Sequence, residues 1–358
     1  MATTEYWRMG ATPVPATEIA AFARKFEQWG WDGMAVGEAH GLLPDPYVVL
    51  GQAAAATTTI KVGTAVAVPL RAPMLAAGVM ATLQALSGGR AAFSLGRGDG
   101  AMKVLRRGPL RVAEFDAYVR DVQAYLHRDD VELDGGIVTS MSRLDDFDPS
   151  LALPPPPLNI AATGPKTIEV AARWADGVSF SVGADLERLR SSIALAHECC
   201  DRVGRDPATL ALGCYVQVAV DDDGGRRARE AIRGLVVTHA RFSGFEAKPV
   251  EGVESSDHER YRHAVETMEA VYRDTRGGVE RAEGSRPGEF EFYPQTAGAD
   301  ELIDAFAIAG PAVYCAERLA DISALGFGRV YIGTRAVGVD LDEENSERIG
   351  REVLALLR

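Results

Sequence analysis

No cysteine pair in this chain has CxxC spacing: Cys199 and Cys200 are adjacent within a helical pattern and cannot readily bond each other, while Cys214 and Cys315 stand alone. That spacing gives no disulfide framework and no zinc ribbon, and all four read as buried free thiols. The six histidines form no HxH or HExxH pattern and no His-rich tract, so no metal site is assigned. No apolar run approaches the roughly 20 residues that cross a bilayer, which sets a membrane aside. The opening segment, MATTEYWRMGATP, lacks the basic start followed by an apolar stretch of a secretory signal, and the expected location is cytoplasmic. Positive charge is scarce as well. With 38 Lys and Arg against 51 Asp and Glu, the net charge of −13 repels a phosphate backbone, and no basic stripe interleaved with aromatics offsets it. Nucleic acid is therefore excluded as a partner, and a small-molecule substrate is expected.

What the chain does have is a core to bury, 47% hydrophobic against 25% charged residues, over 358 positions. Its periodicity alternates. Tyr6-Trp7-Arg8-Met9 reads as a strand, Ile19, Phe22, Ala23 and Phe26 recur at helical spacing, and GMAV (33–36) is again a buried strand. The rhythm continues with a helix after Asp45-Pro46, a strand over 60–68, a helix from Pro73 to Leu86 stopped by Ser87-Gly88-Gly89, and a strand over 91–96. A helix over 112–126 and a polar loop ending in Pro154 to Pro157 lead to strands at 158–162, 177–181 and 210–220, with helices over 166–174 and 185–203 between them. Residues 243–295 break the pattern and read as an insertion before the last βα unit, over the mouth of the barrel, where Phe290, Phe292 and Tyr293 could wall a substrate cavity. A helix over 313–325, a strand over 329–333 and a helix over 343–357 close the series.

Eight strands separated by helices predict a single α/β domain spanning 1–358, a (β/α)8 TIM barrel, with an open doubly wound sheet as the alternative. Either way the chemistry belongs at the C-terminal ends of the strands. Four segments stand there. VGEAHG places Glu38 and His40 two residues apart, on one face of an extended chain, where a carboxylate beside an imidazole can position a substrate or move a proton. The plainer alternative is a pair that orders the loop to Asp45. GTAVAVPLRAP at 63–73 offers small residues, including Ala65 and Val66, where a planar ring could lie against backbone, or where an ordinary barrel layer alternates its sizes.

SLGRGDGA at 94–101 carries Gly96, Arg97, Gly98 and Asp99: glycines that let N–H groups approach an anion and an arginine fork that suits phosphate, or else a turn. Its GxGxG spacing fails the dinucleotide fingerprint, and its RGD triplet has no extracellular setting to act in. ATGPKT at 162–167 places Thr163, Gly164, Pro165, Lys166 and Thr167 at a helix start whose dipole favours an anion, with Thr163 as the expected cap.

In their order and spacing, GTAV (63–66), ALSGGR…LGRGD (85–99) and ATGPKT…ARWADG (162–177) resemble the bacterial luciferase-like superfamily of flavin- and deazaflavin-dependent barrel enzymes, which includes methylenetetrahydromethanopterin reductase. The resemblance covers roughly 5–240 and 308–335. It implies an oxidoreductase that transfers a hydride between coenzyme F420 and a small organic substrate, with an FMN-dependent two-component monooxygenase and a non-catalytic flavin-binding barrel as alternatives. It implies that Gly96, Arg97, Gly98 and Asp99, with Thr163, Gly164, Pro165, Lys166 and Thr167, grip the cofactor phosphate. Ala65 and Val66 fall where the family holds a non-prolyl cis peptide beneath the ring, and His40 is the implied acid/base with Glu38 as its partner. Luciferases carry two consecutive histidines after the glutamate; here Ala39 stands in the first position, which turns the reading toward the deazaflavin branch. A homodimer is compatible with all of this.

Overall fold

A computed structural model of the protein describes residues 3–10, 15–39, 43–98, 101–102, 105–133, 135–138, 153–232, 236, 279–280, 291–292, 299–334 and 339–358. His40 and Asp99 lie outside these residues, as does all of the expected insertion except a two-stranded pairing of Val279–Glu280 with Glu291–Phe292.

The chain has the (β/α)8, or TIM-barrel, fold: parallel strands alternating with helices. The strands are β1 (Glu5–Gly10), β2 (Gly33–Val36), β3 (Lys61–Thr64), β4 (Ala91–Leu95), β5 (Leu158–Ala162), β6 (Gly177–Phe180), β7 (Ala211–Val220), β8 (Ala307–Gly310) and β9 (Arg329–Gly333). The helices are α1 (Ile19–Trp29), α2 (Pro46–Ala56), α3 (Pro73–Leu86), α4 (Val112–His127), α5 (Pro165–Trp174), α6 (Leu186–Val203), α7 (Ala299–Phe306), α8 (Ala312–Ser323) and α9 (Val339–Arg348). Among the described residues no helix is long and apolar enough to cross a membrane.

Two compact units share the chain. One comprises Val14–Ser179 and Ala194–Leu212, and its strands run in the order β2-β3-β4-β5-β6. Local chemistry sets its element ends. Ile19, Phe22, Ala23 and Phe26 bury one face of α1, which stops at Gly30, whose φ of 89° lets its N–H turn back to the Glu27 carbonyl. Asp45 caps α2 by accepting from the Tyr47 and Val48 N–H groups, with Pro46 in the first turn, where no N–H is missed.

The other unit comprises Met1–Pro13, Phe180–Ile193 and Gly213–Arg358, with strand order β8-β7-β9-β1. Its strands share an aromatic layer in which Tyr215 stacks on Tyr331 at 4.7 Å and 15°, and Trp7 packs against Tyr331 at 5.7 Å. The Arg329 guanidinium lies 4.3 Å over the Trp7 ring and pairs with Glu5. The four cysteines are free and buried, as expected.

Three features differ from the sequence reading. The short strand β8 was not anticipated, because AIAG directly after a helix is too brief to show a period of two. A hairpin of Val131–Leu133 with Gly136–Val138 replaces part of the expected polar loop, turning on Gly135 and Gly136, both at positive φ. The strand expected over 60–68 ends at Thr64, where the chain leaves the regular ladder and begins to build the candidate site.

Candidate active site

Residues 65–67 thread between the C-terminal ends of β2 and β4. The Ala65 N–H donates to the Val36 carbonyl at 2.9 Å and the Glu38 N–H donates to the Val66 carbonyl at 3.0 Å. On the other side, the Ala67 N–H donates to Ser94 O at 2.8 Å and the Gly96 N–H to Ala67 O at 2.9 Å. The Ala65–Val66 peptide within this segment is cis, at the position the family resemblance indicated. Thr64 secures its entrance: the hydroxyl donates to Ser94 O at 2.8 Å and accepts the Ser94 N–H at 2.9 Å. Small residues are required by the close approach. A Cβ on Gly96 would sit 2.9 Å from Val66 Cγ2, and one on Gly37 would sit 3.3 Å from Ala65 O. The result is a backbone platform held from both neighbouring strands.

Below it lies a charge cluster. Glu38 is fully buried; one carboxylate oxygen accepts the Val68 N–H at 2.9 Å and the other pairs with Arg71 Nη1. Arg71 Nη2 reaches the Asp45 carboxylate at 2.6 Å, and the guanidinium lies 4.3 Å over the Tyr47 ring. Tyr118 donates its hydroxyl to Arg71 O at 3.0 Å, fixing the backbone of the same residue. Burial together with the negative charge of Glu38 pushes both the Tyr47 and Tyr118 hydroxyls well above the ordinary tyrosine range, so both remain neutral donors. Burial alone would lower the Arg71 pKa; Glu38 and Asp45 outweigh it and raise it. Glu38 is thus joined through Arg71 to Asp45, the cap of α2; its expected partner His40 lies outside the described residues.

Arg97 departs from its expected form. Its Nε and Nη2 donate to Leu110 O at 2.8 and 2.6 Å, while the Leu110 N–H donates back to Arg97 O at 3.2 Å. Two of the three guanidinium nitrogens therefore close a loop, and only Nη1 is without a hydrogen bond among the described residues. Gly98 has φ +96°, and a Cβ there would come within 2.6 Å of Met102 Cγ, so this glycine is demanded by backbone and packing.

At the start of α5 the cap is Gly164 and not Thr163, and no side chain bonds the helix end. A Pro at the first helical position, with the Thr167 and Ile168 N–H groups both directed to Gly164 O, satisfies the turn without a hydroxyl. Thr163 and Lys166 are exposed and bond nothing among the described residues; Thr167 is buried. A Cβ added at Gly164 would meet nothing within 4 Å. This helix start is open, with donors around it and a favourable dipole.

The structure therefore brings Glu38, Ala65, Val66 and Gly96 together, while Thr163, Gly164 and Lys166 form an open helix start on the same unit. Sequence reasoning missed Arg71, Thr64, Ser94 and Tyr118. Arg71 carried a signal, being the one charged residue between Lys61 and Arg90. A lone charge in an apolar stretch of that length calls for a buried partner.

Known proteins extend the likeness over the whole chain. The 5,10-methylenetetrahydromethanopterin reductase of Methanolobus tindarius is 26% identical over 347 residues, 95% of this chain and 96% of that protein. The F420-dependent glucose-6-phosphate dehydrogenase of Beutenbergia cavernae is 29% identical over 268 residues, 68% of this chain and 77% of that protein. In fold, the chain matches the solved coenzyme F420 dependent tetrahydromethanopterin reductase of Methanopyrus kandleri with a TM-score of 0.73 at 20% identity, covering 100% of both chains. The family model of luciferase-like monooxygenases matches residues 1–329, and the chain belongs to that family.

Proposed function

We propose that the protein is an oxidoreductase that transfers a hydride between coenzyme F420 and a small organic substrate. The observation that carries this reading is the Ala65–Val66 platform, a stretch of small residues held by hydrogen bonds from β2 and β4 at the end of the barrel where such enzymes work. Relatives named for F420 chemistry support the choice of cofactor. When bound, the deazaflavin supplies a two-electron carrier that accepts or gives hydride at carbon.

The residues present fit that group. The open helix start at Gly164, with the Thr163 hydroxyl, the Lys166 ammonium and the dipole of α5, holds the phosphate. Arg97 Nη1 and the backbone of Gly98 assist, with Asp99 beside them in sequence, while Gly96 keeps its N–H on Ala67 O and serves by leaving room for the platform. Ala65 and Val66 support the ring. Glu38 has both carboxylate oxygens engaged, which suits it to hold the platform and Arg71 in place rather than to exchange protons. His40, two residues further along, exchanges the substrate proton through its imidazole.

A homodimer is part of the same reading. Helices α2 and α3 carry no charged residue, yet expose Val48, Leu75 and Leu86, an uncharged face on a chain of net charge −13. Sedimentation of wild type and Leu75→Glu would test it: a dimer dissociated by the variant is expected, and a wild-type monomer would reject it.

The deciding experiment is a titration with F420 and FMN. Tighter binding of F420, with hydride transfer lost in His40→Ala, is expected. Tighter FMN binding, with oxygen consumed when reduced FMN and a substrate are supplied, would make the protein a monooxygenase. Binding without turnover of any substrate would make it a non-catalytic flavin barrel.

A further inference from the structure

The loop that closes on Arg97 is a basic stretch of an acidic chain. From Arg97 to Arg111 the sequence holds five cations, Arg97, Lys103, Arg106, Arg107 and Arg111, against one anion, Asp99, while the whole chain carries a net charge of −13. Hydrogen bonds fix where Arg106 and Arg107 stand. The Met102 N–H donates to Gly98 O at 2.9 Å, and Met102 O in turn accepts the Leu105 and Arg107 N–H groups at 3.0 and 2.9 Å. Met102 itself is buried against Gly98, and Leu110 is clipped to Arg97. The Arg106–Arg107 turn is thereby held beside the end of β4, in the same compact unit as the start of α5.

Neither arginine is used by the fold. Both are exposed, and neither side chain bonds anything among the described residues, whereas Arg111 pairs with Glu114. Beside them a Cβ added at Gly108 would meet nothing within 4 Å, so the turn faces open space. Arg106 moreover has a φ of 55°, in the left-handed region where glycine is unstrained and an arginine is uncommon. Packing and backbone give no reason for a long cation at that position; a ligand for its charge does. The stretch from 97 to 111 contains no aromatic residue, so it offers a nucleic acid no ring on which to stack a base. Guanidinium forks match carboxylates instead. We infer that Arg106 and Arg107 form a subsite for a flexible chain of carboxylates continuing beyond the cofactor phosphate, the oligoglutamyl tail of F420. FMN ends at its phosphate and has nothing to place there. The inference deepens the proposed function and rests on it for the identity of the cofactor.

The test compares F420 bearing a tail of several glutamates with the glutamate-free form, which ends at its lactyl group. Both are titrated by fluorescence into wild type and the Arg106→Gln/Arg107→Gln variant. Glutamine leaves the left-handed backbone position as it is and removes the charge, so the variant is expected to melt as the wild type does. At low salt the wild type is expected to bind the oligoglutamyl form about fivefold more tightly than the glutamate-free form, the scale of two exposed ion pairs. The variant is expected to bind both forms equally, with the wild-type affinity for the glutamate-free one. In wild type the preference should disappear at about 1 M salt. A wild type that binds the two forms equally at low salt, a variant that keeps the preference, or a variant that loses affinity for both by the same factor would overturn the inference. Failure of wild type to bind either form would strike at the proposed function. Fluorophore-labelled oligo-γ-glutamate would then decide on the arginines alone: anisotropy at low salt is expected to show weaker binding to the variant, and equal binding would overturn the subsite.

Discussion

Arg97 and Leu110 are bonded in both directions, guanidinium to carbonyl at 2.8 and 2.6 Å and N–H to carbonyl at 3.2 Å, so that two residues 13 positions apart in the chain are clipped together at the end of β4. An arginine held this way serves the loop first and an anion second. Arg97→Ala is expected to lower stability by about 1–2 kcal/mol, or roughly 1–3 °C in melting temperature for a chain of this length, in addition to weakening F420 binding. Arg97→Lys keeps the charge and loses the fork, so it should share the loss of stability. Unchanged melting in both variants, by calorimetry, would show that the clip contributes nothing.

The Glu38–Arg71 pair makes a second, non-additive expectation. With Glu38 fully buried, Arg71→Met leaves its carboxylate without a counter-charge and is expected to cost about 3 kcal/mol. Glu38→Gln retains the acceptor for the Val68 N–H and should cost less. The double variant Glu38→Gln/Arg71→Met removes the buried carboxylate as well, leaving only the part-exposed Asp45 without Arg71, and should melt above the Arg71→Met single. A double variant whose loss equals the sum of the two singles, in denaturant titrations, would mean that the groups act independently.

Much of this architecture was legible in the sequence. The spacing of Phe22 and Phe26, Pro73 at a helix start and Gly88-Gly89 at its end each state a local rule that the fold obeys. The small residues at 63–67 marked the platform for the same reason, since a close backbone approach excludes large side chains. What stayed hidden depends on contacts between distant positions: Arg71 with Glu38, 33 residues away, and Arg97 with Leu110 in a loop of no fixed period. Thr163 misled because a hydroxyl before Gly-Pro suggests a cap, whereas the turn closes on backbone alone.

Stability should also respond to acid through Glu27. Burial by itself would raise its pKa, but one carboxylate oxygen accepts the N–H groups of Thr58, Thr59 and Ile60 and the Thr59 hydroxyl, bringing the value from 4.5 down to about 2. A pKa lower in the folded chain than in the unfolded one means stabilisation that is full above 4.5 and is lost as pH falls toward 2. Glu27→Gln, a weaker acceptor, is expected to cost about 1 kcal/mol at neutral pH. The gap between wild type and variant should narrow in urea titrations as pH is lowered through that window; a constant gap would remove Glu27 from the acid response.

Gly164 separates binding from folding most cleanly. Its φ of −121° is open to any residue, and a Cβ there would touch nothing within 4 Å, so Gly164→Ala should leave the melting temperature unchanged. The same methyl would stand in the space at the start of α5 assigned to the cofactor phosphate, where backbone N–H groups must approach an anion closely. F420 affinity should therefore fall by about tenfold, equivalent to about 1.4 kcal/mol, with no loss of stability. Thr163→Val, which removes a donor without adding bulk, should weaken binding by a smaller factor, and Lys166→Ala should make the remaining affinity less sensitive to salt. Should Gly164→Ala bind F420 as wild type does by fluorescence titration, the open helix start would not hold the phosphate, and the grip would have to be sought at Arg97 Nη1 and the glycines of the β4 loop.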